Sequence, residues 1–319
     1  MKMVMVYSDN EKTAKELLAK ARGLADERKE KAVLITVGSG PAVWAKDMVK
    51  FGADRVIVTA KELENPKAEE AAQIISTVAE EEGEKVIMVS STKTGKETAP
   101  RLAAKMGAGS ASDVTKLWFE GDDLTAERVV YSGNAIAVVR FIQLPAVVTV
   151  PGKVFDPLAP DEGRTGEVVE RDVPPGEHRS RVLSVEAMRS EGANVEDAEI
   201  IVSCGRGFKS SDDLKLINEL AEALKGNTVG CSRPIAADLK WLSEDHWIGL
   251  SGHKVKPKLY VACGISGQIQ HVAGMRDSGI IVAINKDPEA PIFKSADYGI
   301  VGDLYTVLPK FISAVKERM

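Results

Sequence analysis

The stretch AEIIVSCGRGFKSSDDLKLINELAEALKGNTVGCS, Ala198 to Ser232, decides the fold. It opens on a short apolar run, Glu199 to Ser203, that passes into Gly205-Arg206-Gly207. A helix is predicted from near Ser211, because Leu214, Ile217, Leu220, Ala221 and Leu224 fall at helical spacing. Ser210 and Ser211 are capping residue types, and Asp212 and Asp213 suit the positive end of the first turn. A short strand precedes Cys231 and Ser232. Strand, glycine turn, helix and strand form the repeating unit of a parallel sheet with crossover helices.

Outward from that stretch the same unit recurs. Toward the C-terminus come the strands KLYVACG and GIIVAIN and a last helix from about Leu304 to Arg318. Toward the N-terminus, four apolar runs (MVMVYS, AVLITVG, RVIVTA, KVIMVSS) alternate with amphipathic segments at Glu11–Arg22, Ala42–Lys50, Pro66–Glu82 and Lys96–Met106. The alternation stops between Ala126 and Val150, where β-branched residues and the turn signal Ser132-Gly133-Asn134 predict antiparallel strands appended to the sheet. The following segment, PGKVFDPLAPDEGRTGEVVERDVPPGEHR, is rich in Pro, Gly and charge and reads as an exposed connection. A boundary near Val185 gives two α/β domains, 1–185 and 186–319, each a mainly parallel sheet flanked by helices. The second is Rossmann-like.

The chain's 319 residues are enough for about two domains, and 44% of them are apolar. The 42 Lys and Arg and 47 Asp and Glu are interspersed, giving a net charge of -5. A nucleic-acid surface needs a basic patch or stripe, so no nucleic-acid partner is expected. No apolar run spans a bilayer and MKMVMVYSDNEK turns polar too early for a signal peptide, so a cytoplasmic protein is expected. Cys204, Cys231 and Cys263 sit far apart beside glycines, which argues for buried packing residues over a metal or disulfide site.

In open α/β sheets ligands sit beyond the carboxyl ends of the strands, where glycine turns let backbone N–H groups approach a phosphate. The C-terminal half has four such ends: Gly205-Arg206-Gly207; GCSRPIAAD, carrying Ser232 and Arg233; CGISGQIQH, carrying Gly264, Ile265, Ser266, Gly267, Gln268, Gln270 and His271; and INKDPEAPIF, with Asn285 and Lys286. Behind the last, ADYGIVGD ends a strand at Asp303. Each signal alone is weak: a GxG after a strand is more often a plain tight turn, and a lone helical histidine more often a packing or surface residue. Together they carry more polar and basic residues than structural loops need, which favours a phosphate-bearing ligand.

The segments GRGFKS, SRPIAAD, KLYVACGISGQIQHVAGM and IVAINKDPEAPIFKSADYGIVGDLY resemble the FAD domain of the electron transfer flavoprotein alpha subunit from about Ile200 to the C-terminus. TGKETAPRLAAKMG, SDV and VYSGNAIA resemble that family's N-terminal domain more loosely. The resemblance implies FAD as cofactor, a beta subunit as partner of the N-terminal domain, and an electron carrier, not an enzyme with a substrate of its own. It implies donors among acyl-CoA or other flavin dehydrogenases and a quinone-linked or ferredoxin- or flavodoxin-type acceptor. It places Arg206 near the cofactor, Ser232 on it, Arg233 over the flavin ring, and Ser266 with neighbouring N–H groups on the pyrophosphate. Gln270 falls near ribityl or ring atoms, His271 at the pyrimidine edge, and Asn285, Lys286 and Asp303 on the adenosine side. A cation or donor at the pyrimidine edge stabilises charge that gathers there on reduction. Arg233 keeps its charge at all pH values, whereas His271 titrates and its contribution is expected to vary with pH.

The flavin loop departs from the family pattern. Many members read Gln-Thr-Gly-Lys where this chain has Leu250-Ser251-Gly252-His253. Serine keeps the hydroxyl that can reach flavin N5 without threonine's stiffening methyl, Leu250 offers no side-chain hydrogen bond, and His253 replaces a fixed charge with a titratable one. Two other readings stand beside the carrier: an electron-bifurcating flavoprotein with a second FAD in the beta subunit, and a nicotinamide-dependent dehydrogenase subunit on the same scaffold.

Overall fold

A computed structural model describes residues 3–133, 135–177, 180, 182–186, 195–226 and 228–318. Asn134 of the expected turn lies outside the described residues. The chain divides into two compact units, Met1–Val185 and Glu186–Met319.

In the first unit β1 (Met3–Tyr7), α1 (Glu11–Arg28), β2 (Lys31–Val37), α2 (Ser39–Ala42), β3 (Arg55–Thr59), α3 (Ala68–Glu82), β4 (Val86–Ser90) and α4 (Lys93–Met106) follow the alternating pattern. Helix α1 outruns its expected end because Leu24 and Ala25 continue its buried stripe. The expected helix at Ala42–Lys50 is instead the single turn α2 and a 3-10 run, Ala45–Phe51, stopped by Gly52 at φ 109°. Then come β5 (Gly109–Ala111), β6 (Val114–Glu120), β7 (Asp123–Val130), β8 (Ala135–Phe141), β9 (Ala146–Val150) and β10 (Glu167–Arg171).

Seven strands form one sheet, in the order β10-β3-β2-β1-β4-β9-β5, and every pairing in it is parallel. The antiparallel strands are not appended to that sheet: β6, β7 and β8 form a separate three-stranded one, and β9 joins the parallel sheet beside β4. The difference is one of burial. Every residue of β9 is buried, the mark of a strand covered on both faces, whereas β8 is largely exposed. Nor is the charged connection only a loop, since β10 inside it extends the sheet edge along β3. Ion pairs hold it there, with Glu167 on Arg55 at 3.1 Å, Arg171 on Glu82 at 3.0 Å, and Lys61 on Glu170.

The second unit contains β11 (Ile200–Cys204), α5 (Lys215–Ala223), β12 (Val229–Cys231), β13 (Leu259–Cys263), α6 (Ile269–Met275), β14 (Ile280–Asn285), β15 (Tyr298–Val301) and α7 (Leu304–Lys316). Its five strands are parallel and ordered β12-β11-β13-β14-β15. The chain works outward in one direction from β11 to β12, then returns to the other side at β13. That reversal makes a topological switch point between β11 and β13, as in flavodoxin-like sheets. Strands β11, β13 and β14 are mostly buried, whereas the edge strand β15 is largely exposed. One face packs Ile217, Leu220, Leu308 and Ile312; the other packs Ile248, Tyr260, Met275 and Ile292.

Candidate functional site

Because all five strands run the same way, their last residues, Cys231, Cys204, Cys263, Asn285 and Val301, line one edge of the sheet. The chain leaving that edge carries the residues singled out above. The three cysteines stand side by side, Cys204 in register with both Cys231 and Cys263. All three are free and buried, and burial pushes the Cys204 thiol up to about 12, so they are unreactive packing residues at neutral pH.

At the switch point the first two glycine turns touch. Gly205 N–H donates to Cys263 O at 3.0 Å and Gly207 N–H to Gly264 O at 3.0 Å. A Cβ on Gly264, at φ 66°, would lie 2.9 Å from Cα of Gly207, so only glycine lets these loops meet. Arg206 and Ser266 are exposed on either side of this junction. Ile265 and Gly267 are buried beneath it, and Gln268 and Gln270 point outward at the start of α6. Asn285 ties the next strand end in, donating through Nδ2 to Ile265 O at 2.9 Å, while Lys286 is exposed beside it. Asp303 caps α7, accepting from Tyr305 N–H at 2.9 Å, a structural duty that engages one carboxylate oxygen.

The other flank is built by the excursion between β12 and β13. Ser232 is buried against β11, its N–H on Cys204 O at 2.9 Å. Arg233 opens a π-helical turn, Pro234–Asp238, with its side chain exposed and its guanidinium 3.8 Å from Asp238. The loop around Leu250-Ser251-Gly252-His253 is folded back on itself, His253 N–H reaching Trp247 O at 2.8 Å, and fastened to α6 by Leu250 N–H on Gln270 O at 2.7 Å. Gly249 and Gly274 make that docking possible, since a Cβ on Gly274 would sit 2.5 Å from Gly249 N. Ser251 is thereby held, exposed, beside the first turn of α6, and His253 Nδ1 lies 2.8 Å from the Glu196 carboxylate, a partner no sequence motif indicates.

His271 is only 7% exposed. Burial lowers its pKa from 6.5 to about 4, against an opposing effect of the Ile248 backbone. The expectation of a pH-dependent contribution is therefore corrected, because the ring is neutral throughout the physiological range. Nε2 is 3.0 Å from the hydroxyl of Tyr260, and Nδ1 is buried without a well-formed hydrogen bond. Tyr260 was missed in sequence. Its signal is a tyrosine inside an otherwise apolar buried strand, where a phenol needs a polar partner.

The family model described as "Electron transfer flavoprotein domain" matches residues 4–175, and that described as "Electron transfer flavoprotein FAD-binding domain" matches residues 194–276. The electron transfer flavoprotein subunit alpha of Thermoanaerobacterium thermosaccharolyticum is 40% identical over 307 residues, covering 95% of this chain and 92% of that one. This chain belongs to the electron transfer flavoprotein alpha-subunit family. Within that family, Protein FixB of Clostridium saccharobutylicum is 38% identical over 312 residues, 96% of this chain and 92% of that one. A subunit of Acetobacterium woodii named lactate dehydrogenase (NAD(+),ferredoxin) subunit LctC is 38% identical over 307 residues, 94% of this chain and 72% of that one.

An electron transfer flavoprotein alpha subunit carries electrons, pairs with a beta subunit and has FAD as its cofactor. The residues present fit FAD in kind. A diphosphate needs backbone N–H groups at glycine turns and nearby cations; the turn Ile265-Ser266-Gly267 that leaves β13 offers such N–H groups, with Gly267 at φ 83°, and Arg206 after β11 and Lys286 after β14 are exposed. A flavin ring needs a flat slot with polar groups at its edge, and Nδ1 of His271 is a buried polar atom without a well-formed hydrogen bond. The FAD-binding match ends at residue 276, so Asn285, Lys286 and Asp303 lie beyond it. Among the described residues no group of three or more His, Cys, Asp or Glu is placed to hold a metal ion, and no helix is long and apolar enough to cross a membrane.

Proposed function

We propose that this chain is the FAD-holding alpha subunit of a cytoplasmic heterodimer. The complex takes electrons from flavin dehydrogenases, acyl-CoA dehydrogenases among them, and passes them singly to a quinone-linked or a ferredoxin- or flavodoxin-type acceptor. The observation that carries this reading is the row of glycine turns and polar side chains along the carboxyl ends of five parallel strands, centred on the switch point. Bound FAD supplies the one-electron chemistry that side chains lack.

The chain's own residues bind, orient and tune. In this reading Ser266 and the N–H groups of Ile265, Ser266 and Gly267 hold the pyrophosphate, with Arg206 near it. Asn285, Lys286 and the free oxygen of Asp303 serve the adenosine side. Ser232 and Arg233 approach the ring from the β12 end, Ser251 offers a hydroxyl from its loop, and Gln268, Gln270 and His271 approach from α6. Arg233 contributes a permanent positive charge and His271 a neutral donor, so the charge that stabilises reduction comes from the arginine. The N-terminal unit is proposed as the surface for the beta subunit. Support comes from Val129 and Ile136, cross-strand partners on β7 and β8, and from Val138, all exposed on one face.

The name of the Acetobacterium woodii relative, with NAD(+) and ferredoxin in it, supports a second reading, an electron-bifurcating complex with another FAD in the beta subunit. A reductive titration of the purified heterodimer, with flavin counted per complex, separates the possibilities. One FAD, reduced in single-electron steps, is the expected result for a carrier. Two FAD mean a bifurcating complex, and a colourless complex that takes up no FAD leaves a nicotinamide-dependent dehydrogenase subunit as the surviving alternative.

A further inference from the structure

The loop that carries Ser251 has no apolar anchor at its tip, because Leu250 is 45% exposed and Ser251 is exposed beside it. Its shape depends on its base, and the base closes on one residue. His253 N–H donates to Trp247 O at 2.8 Å, and His253 O accepts from Gly249 N–H at 3.1 Å, so both main-chain groups of the histidine shut the turn. Gly252 completes the closure, since a Cβ there would lie 2.5 Å from Trp247 O.

The imidazole of that same residue reaches out of the loop. Its Nδ1 is 2.8 Å from Glu196 Oε1, 57 residues earlier in the chain. A carboxylate offers only lone pairs, so Nδ1 is the donor, and the bond fixes the ring's orientation as well as its place. Glu196 is itself held in position by its neighbour. Val195 is 1% exposed and packs in the apolar cluster that contains Ile248 and Val255, which flank the loop on either side. Val255 N–H donates to Gly274 O at 2.8 Å, so that flank is tied to α6. The turn leading into β11 therefore grips the loop twice, through buried Val195 beneath it and through Glu196 at the surface. With side chains 36% and 56% exposed, the ion pair is too weak to hold the unit together, but it is enough to bias where a loop sits.

We propose that Glu196 is a positioning residue for the flavin loop: its carboxylate clasps His253 and, through the closed turn 249–253, sets where the Ser251 hydroxyl stands toward the ring. This deepens the FAD reading, in which Ser251 faces the flavin, and rests on it. A hydrogen bond weakens steeply as its angle closes and its length grows, so a hydroxyl two residues from the clasp reaches the ring only while the turn keeps its place. The departure from Gln-Thr-Gly-Lys then has a physical reading. Serine lacks threonine's stiffening methyl, and the clasp supplies from outside the loop the restraint that is missing within it.

The test uses the full chain coexpressed with its beta subunit, with FAD and after its removal. Hydrogen exchange of a peptide spanning 247–256 reads the loop directly and needs no flavin. Glu196→Ala is expected to speed that exchange by roughly two- to fivefold, the most a partly exposed pair supplies. His253→Lys keeps a donor for the carboxylate and should leave exchange near the parent's. The double variant Glu196→Ala/His253→Ala should exchange no faster than His253→Ala alone, because both changes remove one interaction. In the FAD-loaded heterodimer, Glu196→Ala should weaken FAD binding by a similar factor. It should also move the flavin potential in the same direction as Ser251→Ala, without adding to it. A residue that merely packs would show neither the coupling nor the rescue by lysine. Unchanged exchange in Glu196→Ala, or additive effects in the double variant, overturns the proposal. Glu196→Gln, of the same size with a neutral acceptor, is expected to fall between parent and alanine, and decides should the alanine variant fail to fold. A loop that loosens while Glu196→Ala and Ser251→Ala both keep the parent's flavin potential overturns the assignment to the ring. A parent heterodimer that retains no FAD defeats the FAD reading instead.

Discussion

At the scale of single residues, charge near the proposed ring site is concentrated in Arg233, whose acidic contact among the described residues is loose and exposed. Asp238 lies 3.8 Å from it with both side chains more than half exposed. Such a pair contributes about 0–1 kcal/mol, so Asp238→Asn is expected to leave the thermal midpoint nearly unchanged. Removing the carboxylate strengthens the arginine's field, and a spectroelectrochemical titration should then find a more positive flavin potential. His271 behaves differently. With its pKa down at about 4, the effect of His271→Ala on the flavin potential should be the same at pH 6 and pH 8, and a difference that grows toward pH 6 would show an imidazolium.

At the scale of elements, the loops that bring β11 and β13 together were legible because glycine at a strand end has few other uses. Gly205, Gly207 and Gly264 read from sequence as turns, and their contact explains why all three must be glycine. Gly264→Ala adds a left-handed strain to a clash with the Gly207 backbone and is expected to cost about 2–4 kcal/mol in denaturant unfolding. Gly121→Ala is the control. It has φ 63° and open space around it, and should cost about 1 kcal/mol from conformation alone. What stayed illegible follows from how elements are stabilised. β10 is held at the sheet edge by ion pairs rather than an apolar pattern, so Glu167 and Arg171 read as loop residues. The β6-β7-β8 sheet shares its composition with an appended ladder, and only pairing distinguishes them. Among site residues, those on glycine turns were found, while Tyr260 and Glu196 were not, because their roles depend on contacts made across the fold.

At the scale of the whole chain, the two units carry buried groups of opposite pH sense. Glu84 in the first unit is 3% exposed, with both carboxylate oxygens unpaired, and burial, reinforced by Glu82 and Glu30, raises its pKa from 4.5 to about 8. The unfolded chain releases that proton near 4.5 and the folded one near 8, so the first unit loses stability as pH rises between them. In the second unit, His271 takes up its proton near 6.5 when unfolded and near 4 when folded, so stability is lost as pH falls through that window. Thermal scans from pH 5 to 8 should therefore move the two transitions in opposite directions. Glu84→Gln should abolish the alkaline decline of the first, a gain of a few kcal/mol at most at pH 8. An unchanged decline would place its cause elsewhere.

The central claim is that one row of strand ends in the second unit grips an FAD. It is tested most directly by the FAD dissociation constant of the flavin-stripped heterodimer, measured by fluorescence quenching for the parent and for Arg206→Ala/Ser266→Ala. Both side chains are exposed, on the turns that follow β11 and β13, so the double variant leaves the core intact. The account predicts saturable binding by the parent and at least roughly tenfold weaker binding by the variant, about 1.4 kcal/mol. Equal affinities would contradict it.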